Sequence, residues 1–171
     1  MKRVLLLALL LGLVPVASQA TVGVIASCKS ISVNPSVKKG TVLACLDNKS
    51  KVTLQALRGP VLVNVFGSWC APCQQEIPKF VALYATKKIA IIGVDVEERN
   101  AAAGAAFVLK KGITWPILFD ATGITKADFG PGVPVTWFLN AQGHVVYEQI
   151  GLISSQAQLN AEVTKYLGIK L

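Results

Sequence analysis

The stretch Val61-Leu-Val-Asn-Val-Phe-Gly-Ser-Trp-Cys-Ala-Pro-Cys-Gln-Gln-Glu-Ile-Pro78 decides how this chain folds. Val61 to Phe66 is a near-continuous apolar run bounded by Gly59-Pro60 and Gly67, as expected of a central strand covered on both faces. From Cys73 the apolar positions Ile77, Phe80, Val81 and Tyr84 recur at helical spacing, which predicts a helix to about Ala85. Pro78 falls inside that helix, removes a backbone donor and is expected to kink it. The stretch therefore reads as a buried strand that delivers two cysteines to a helix N-terminus.

A helix N-terminus presents unpaired N–H groups and the positive end of the macrodipole, so a thiolate there is stabilised. Cys70, first in the pair, is expected to be the exposed nucleophile of depressed pKa, and Cys73 the more buried resolving thiol. Exchange with a partner then runs through a mixed disulfide on Cys70 that Cys73 resolves. Glu76, one turn beyond Cys73, is placed to act as acid or base, or else is an ordinary exposed helix glutamate. Trp69, adjacent to Cys70, is placed to cover the thiol and offer a docking face, Pro72 between the cysteines is a further candidate for binding substrate, and Trp115 and Trp137 read as core or edge packing. A zinc site is short of ligands, because His144 is the only histidine and no second close-spaced pair accompanies Cys70 and Cys73. A peroxidatic cysteine would follow a Pro-x-x-x-Thr-x-x-Cys pattern, which Ser68-Trp69-Cys70 does not complete.

Outward from this stretch the chain has the order of an α/β domain. Val42–Leu46 and Val52–Leu54 have the character of short strands around an Asp47-Asn-Lys-Ser50 turn. Ile89–Val96 is a second buried strand, followed by a helix over Asn100–Lys111. Strand, helix, strand, helix implies parallel pairing with right-handed crossovers. Trp115–Asp120 is expected as a short edge strand and Ile124–Phe129 as a helical turn. Val135–Leu139 and His144–Ile150 form a hairpin across Asn140–Gly143, Gln156–Leu167 is a closing amphipathic helix, and His144 is placed on the surface.

At 171 residues one domain with a real core is expected, and 53% hydrophobic with 15% charged residues excludes disorder. Residues 1–20 stand apart: Lys2 and Arg3 precede the apolar Val4–Val14, and Ser18-Gln-Ala20 supplies a signal-peptidase site. Three readings stand, a cleaved signal, an uncleaved anchor spanning Val4–Ala26, and a lipoprotein attached through Cys28 in Ile25-Ala-Ser-Cys28. All three place the domain outside the cytoplasm, in the periplasm or at the cell surface. Residues 21–40 form an extension, and 41–171 the domain. Cys28 and Cys45, with 16 residues between them, make a structural disulfide in an oxidising compartment, or Cys28 carries the lipid instead. Loss of Lys2 and Arg3 lowers the formal charge from +8 to +6. The lysines are scattered without arginine clusters or interleaved aromatics, so they read as solvated surface, with no nucleic-acid partner.

Leu62 to Pro78 closely resembles the signature L-V-N-F-W-A-S-W-C-x-P-C-x-x-E-x-P of the TlpA/ResA/CcmG (DsbE) group of exported thioredoxin-like proteins. The resemblance extends over about residues 40–167 in element order. It implies a thioredoxin fold, a central mixed sheet flanked by helices, with an N-terminal hairpin and an inserted element between the core βαβ and the final ββα. It places Glu76 beside the thiols and matches Val133-Pro134 to a cis-proline loop that faces the dithiol and pairs with substrate backbone. Gly132 either admits a substrate chain or punctuates the loop. Asn64 stands where cytoplasmic thioredoxins carry a buried aspartate, which favours the exported group. By resemblance the protein is a monomeric thiol:disulfide oxidoreductase that needs no cofactor beyond its Cys70–Cys73 disulfide. Most of the group reduces apocytochrome c, with electrons from a membrane dithiol carrier of the CcdA/DsbD type. The motif also suits an oxidase of secreted proteins, and a non-catalytic carrier domain is the alternative of another class.

Overall fold

The structure is a computed structural model that describes residues 23–171, so the signal, anchor and cleavage readings of residues 1–20 lie outside the described residues. Its centre is strand β3 (Val61–Phe66), every residue of which is buried. The next strand in sequence is β4 (Ala90–Val96), which follows helix α1 (Ala71–Ala85) and pairs in parallel with β3 from Val61↔Ala90 to Phe66↔Asp95. Helix α2 (Ala101–Lys110) leads to β5 (Ile117–Asp120), again parallel, to β4. Two crossovers of the same hand stepping in the same direction put α1 and α2 on one face of the sheet. Strands β6 (Val135–Leu139) and β7 (Val145–Ile150) add an antiparallel hairpin on the other side of β3, and α4 (Gln156–Leu167) returns to the α1 face.

With β1 (Val42–Cys45) and β2 (Lys51–Thr53), the sheet has seven strands in the order β2-β1-β5-β4-β3-β6-β7. This corrects the expectation of an edge strand at Trp115–Asp120. Strand β5 is internal, because β1 closes its free side antiparallel, with Cys45 opposite Leu118. An edge depends on which other segment arrives beside it, and the composition of Ile117–Asp120 carries no trace of that. Trp115 lies before the strand and is buried with its ring 5.5 Å from that of Tyr84. Trp137 is half-buried and packs on Phe129 at 4.2 Å. His144 is exposed.

Alternation along the strands divides the core in two. One half lies under α1, α2 and α4 and contains Leu62, Phe66, Ile77, Phe80, Phe107, Trp115 and Phe138. The other contains Val63, Val65, Ile92, Val94 and Leu118, and is covered by the segment Cys28–Leu57 and by α3 (Lys126–Phe129). Burial at about 25 cal/mol per Å2 of apolar surface is what holds these layers together. Cys28 and Cys45 have their sulfurs at bonding distance and their Cα atoms 6.0 Å apart, so the N-terminal segment is tied to β1 over a separation of 17 residues. The turn leading to α3 is pinned by Asp120, whose carboxylate accepts from the Thr125 amide (2.8 Å), the Thr125 hydroxyl (2.6 Å) and the Ile124 amide (3.0 Å). Burial alone would raise the Asp120 pKa, but these donors outweigh it and hold the group below its usual value.

Candidate active site at the start of helix α1

Helix α1 begins at Ala71 with Cys70 as its N-cap, which sets the first cysteine at the helix start and Cys73 in the first turn, as the sequence predicts. Its Sγ accepts from the Cys73 amide at 3.1 Å, which satisfies one of the orphan donors of the first turn. Pro72 sits in that first turn, where its missing N–H costs nothing, and is exposed. The helix continues through Pro78 to Ala85. Cys70 and Cys73 are joined in a disulfide with Cα atoms 5.3 Å apart. Cys73 is fully buried and Cys70 is 5% exposed, so the first sulfur is nearer the surface but far less open than the sequence suggests. The reason is a segment distant in sequence: the Val133 carbonyl lies 3.7 Å from Cys70 Sγ. That carbonyl belongs to a cis Val133–Pro134 peptide just before β6, with Val133 half-buried and Pro134 buried. A second cis bond, Gly59–Pro60, precedes β3 at the far end of the sheet.

Trp69 is 56% exposed beside the disulfide, and its Nε1 donates to the Val96 carbonyl at 3.3 Å. A narrow cleft lined by Trp69, Val96, Phe129, Pro131, Gly132 and Val133 opens next to it. By contrast, the cleft of about 440 Å3 lined by Arg58, Pro60, Tyr84 and Lys88 lies at the opposite end of β3. Cys70 thus lies between the exposed ring of Trp69 on one side and the Val133 carbonyl on the other.

Glu76 is not a surface glutamate. It is fully buried behind Cys73, and its carboxylate is held from two directions: Asn64 Nδ2 donates to Oε1 at 2.8 Å and the Ile153 amide donates to Oε2 at 3.1 Å. Asn64 Nδ2 also reaches Thr136 Oγ1 at 3.2 Å, so β3, α1, β6 and the segment before α4 meet at this one acid. Burial pushes the Glu76 pKa up to about 7, against the opposing pull of the Ile153 amide, Asn64 and Lys79. A carboxyl of that pKa exchanges a proton readily at neutral pH. Sequence position left Glu76 open between an acid or base and an exposed helix glutamate, and gave no sign of its anchoring by Asn64 and the Ile153 amide, which come from two other elements.

Two further acids escaped the sequence reading. Asp95 is buried at the end of β4, and Glu98, almost buried in the following loop, accepts the Ser68 amide at 2.5 Å. A charged residue inside the apolar run Ile89–Val96 was the available signal for Asp95, whereas Glu98 sits in a polar loop with none. Among the described residues no cluster of three or more His, Cys, Asp or Glu is arranged as metal ligands, and no helix is long and apolar enough to cross a membrane.

The profile of the AhpC/TSA family matches residues 37–148, which span the hairpin, the dithiol and most of the sheet. The chain belongs to this family. Within it, the peroxidatic pattern is absent here, since Val63 and Gly67 stand at the Pro and Thr positions relative to Cys70. Relatives are the thiol-disulfide oxidoreductase ResA of Bacillus thuringiensis, 32% identical over 115 residues, covering 64% of this chain and 65% of that protein, and the thiol:disulfide interchange protein DsbE of Pseudomonas aeruginosa, 31% identical over 121 residues, covering 64% and 62%. The chain therefore matches slightly under two thirds of the length of these relatives. Among solved structures, MTB dsbF superposes with a TM-score of 0.64 at 26% identity, covering 74% of this chain and 94% of that one. The mixed sheet flanked by helices is the thioredoxin-like α/β fold of these proteins.

Proposed function

We propose that this protein is an extracytoplasmic thiol:disulfide oxidoreductase acting on protein thiols, with Cys70 attacking and Cys73 resolving. The observation that carries the reading is the Cys70–Cys73 disulfide at a helix N-terminus, packed against the Val133 carbonyl of a cis-proline loop. In the reducing direction, the Cys70 thiolate attacks a partner disulfide, forming one mixed disulfide and releasing one partner thiolate. The Cys73 thiolate then attacks Cys70 Sγ, closes the intramolecular disulfide and releases the second partner thiolate, so two electrons leave the protein. The first-turn amides stabilise the Cys70 thiolate, and Glu76 takes or returns the proton of Cys73. Trp69, Pro72, Val133 and Pro134 form the face on which the partner chain lies.

The relatives support protein thiols as substrates, and the preferred role is that of a reductant of apocytochrome c supplied by a membrane dithiol carrier of the CcdA/DsbD type. Residues 1–20 then serve as the export signal or anchor, 21–40 as an extension stapled through Cys28 and Cys45, and 41–171 as the working domain, acting as a monomer. Insulin reduction tests the enzyme reading: wild-type turnover no greater than that of Cys70→Ser would end it. The potential of the Cys70/Cys73 couple tests direction, a value near about −270 mV favouring a reductant and one near about −120 mV an oxidase.

A further inference from the structure

Strand β4 carries a carboxylic acid where its neighbours are aliphatic. Asp95 is fully buried, beside Phe66 of β3 and Phe119 of β5 in register, and neither of its oxygens meets a donor. Helix α2 is shaped around it: a methyl group on Gly104 would fall 2.2 Å from Asp95 Oδ2. An unpaired carboxylate in such a place costs several kcal/mol, so the group is held neutral and its proton needs an acceptor. Glu98 provides one. Burial first, then the charge and hydrogen bonding of Glu98, push the Asp95 pKa up to about 8.

Glu98 is also where this acid meets the redox loop. Its Oε1 accepts the Ser68 amide at 2.5 Å, two residues before Cys70. The Ser68 carbonyl accepts from Gln74 Nε2 at 2.7 Å, and the Gly67 carbonyl accepts from the Cys70 amide at 3.1 Å. The other charged groups nearby are otherwise engaged or remote. Glu97 pairs with Lys126 at 2.7 Å, Asp120 is bound by Thr125 on the other face of the sheet, Arg99 is exposed, Glu76 of α1 is bound by Asn64 and Ile153, and α2 has no charged residue before Lys110.

We propose that Asp95 and Glu98 share a single proton and form a positioning pair, neutral Asp95 holding the Glu98 carboxylate and Glu98 holding the Ser68 amide, so that the Gly67–Trp69 loop presents Cys70 to a partner. Loss of that proton to solvent leaves two adjacent carboxylates, which repel. Glu98, the one nearer the surface, turns outward and the Ser68 amide is released. The inference deepens the redox reading and rests on it only for the consequence at Cys70.

The test uses the full-length oxidised protein, in which no active-site thiol titrates, and follows the Ser68 amide resonance by NMR from pH 6 to 10. Wild type is expected to show an upfield shift with a midpoint near pH 8, and Asp95→Asn none, because the asparagine amide donates to Glu98 at every pH. In Glu98→Gln the resonance starts upfield and does not follow the wild-type curve, which preserves the test if Asp95→Asn fails to fold. In insulin reduction, the ratio of kcat/KM for Asp95→Asn to that of wild type is expected near 1 at pH 6.5 and at least threefold higher by pH 9. A wild-type Ser68 resonance that does not titrate, or one that titrates equally in Asp95→Asn, overturns the pair. Inactivity of wild type at every pH with the Ser68 titration intact would instead overturn the redox reading and leave the pair supported.

Discussion

Replacing Glu76 by glutamine isolates what a buried acid behind the disulfide costs and what it contributes. The carboxylate accepts two hydrogen bonds, from Asn64 and from the Ile153 amide, and a glutamine can accept only one of them and turns a donor toward the other. That loss is worth about 1–3 kcal/mol against the variant where Glu76 is ionised, and less below pH 7, where the protonated carboxyl carries a donor of its own. The charge works the other way. Burial raises the Glu76 pKa from 4.5 to about 7, a difference of about 2.5 pH units, or about 3 kcal/mol at 1.36 kcal/mol per unit. Because the folded pKa lies above the unfolded one, the folded state holds more protons between these values. Wild-type stability therefore falls as pH rises from 4.5 to 7 and levels off above that, while Glu76→Gln lacks this contribution. Other titrating groups, Asp95 among them, are common to both proteins and cancel in the difference. Urea unfolding of the two oxidised proteins at pH 4.5, 6, 7 and 8 should show the variant within about 1 kcal/mol of wild type at the lowest pH, where both side chains are neutral, and the difference should move by about 3 kcal/mol in its favour by pH 8. A difference constant to within about 0.5 kcal/mol across that range would refute the claim that Glu76 titrates as a buried, raised-pKa acid. If Glu76 also carries the Cys73 proton, the variant should lose on the order of 100-fold in insulin reduction at pH 7.

Three other changes test separate parts of the structure. Changing Cys28 and Cys45 together to alanine should cost about 3 kcal/mol by restoring loop entropy to the unfolded chain, measured by urea unfolding, and leave the active-site potential within about 10 mV of wild type. Gly104→Ala should destabilise by about 1–3 kcal/mol although alanine is the better helix former, because its methyl meets Asp95 Oδ2; in an Asp95→Ala background the same change should stabilise by up to about 1 kcal/mol, and destabilisation in both backgrounds would point to some other clash. Trp69→Ala should raise KM for a protein disulfide by roughly tenfold with little change in unfolding midpoint, since the ring is more than half exposed and anchored by one hydrogen bond to Val96; an unchanged KM would remove Trp69 from the docking face.

Much of the architecture was legible because it rests on local chemistry. The apolar run Val61–Phe66 had to be a doubly covered strand, and the order of elements required parallel crossovers. The start of α1 was legible too, since the cysteine pair and Pro72 mark a helix N-terminus where apolar spacing is silent. The position of β5 was illegible, because the hairpin which covers it lies about 70 residues upstream in a segment with an unremarkable pattern.

For the dithiol stretch, sequence alone determined two cysteines at a strand-to-helix junction and an acid one turn on, because spacing along one helix sets those relations, while the proline loop facing them was implied only by the family resemblance. Only the tertiary structure decided how that site is tuned. Asn64, itself bonded to Thr136, and the Ile153 amide hold Glu76 from separate elements, the Val133 carbonyl closes over Cys70, and Glu98 accepts the Ser68 amide of the loop before it. Burial and pKa are properties of everything packed around a group, and those neighbours are chosen by the closure of the sheet rather than by the residues next in line.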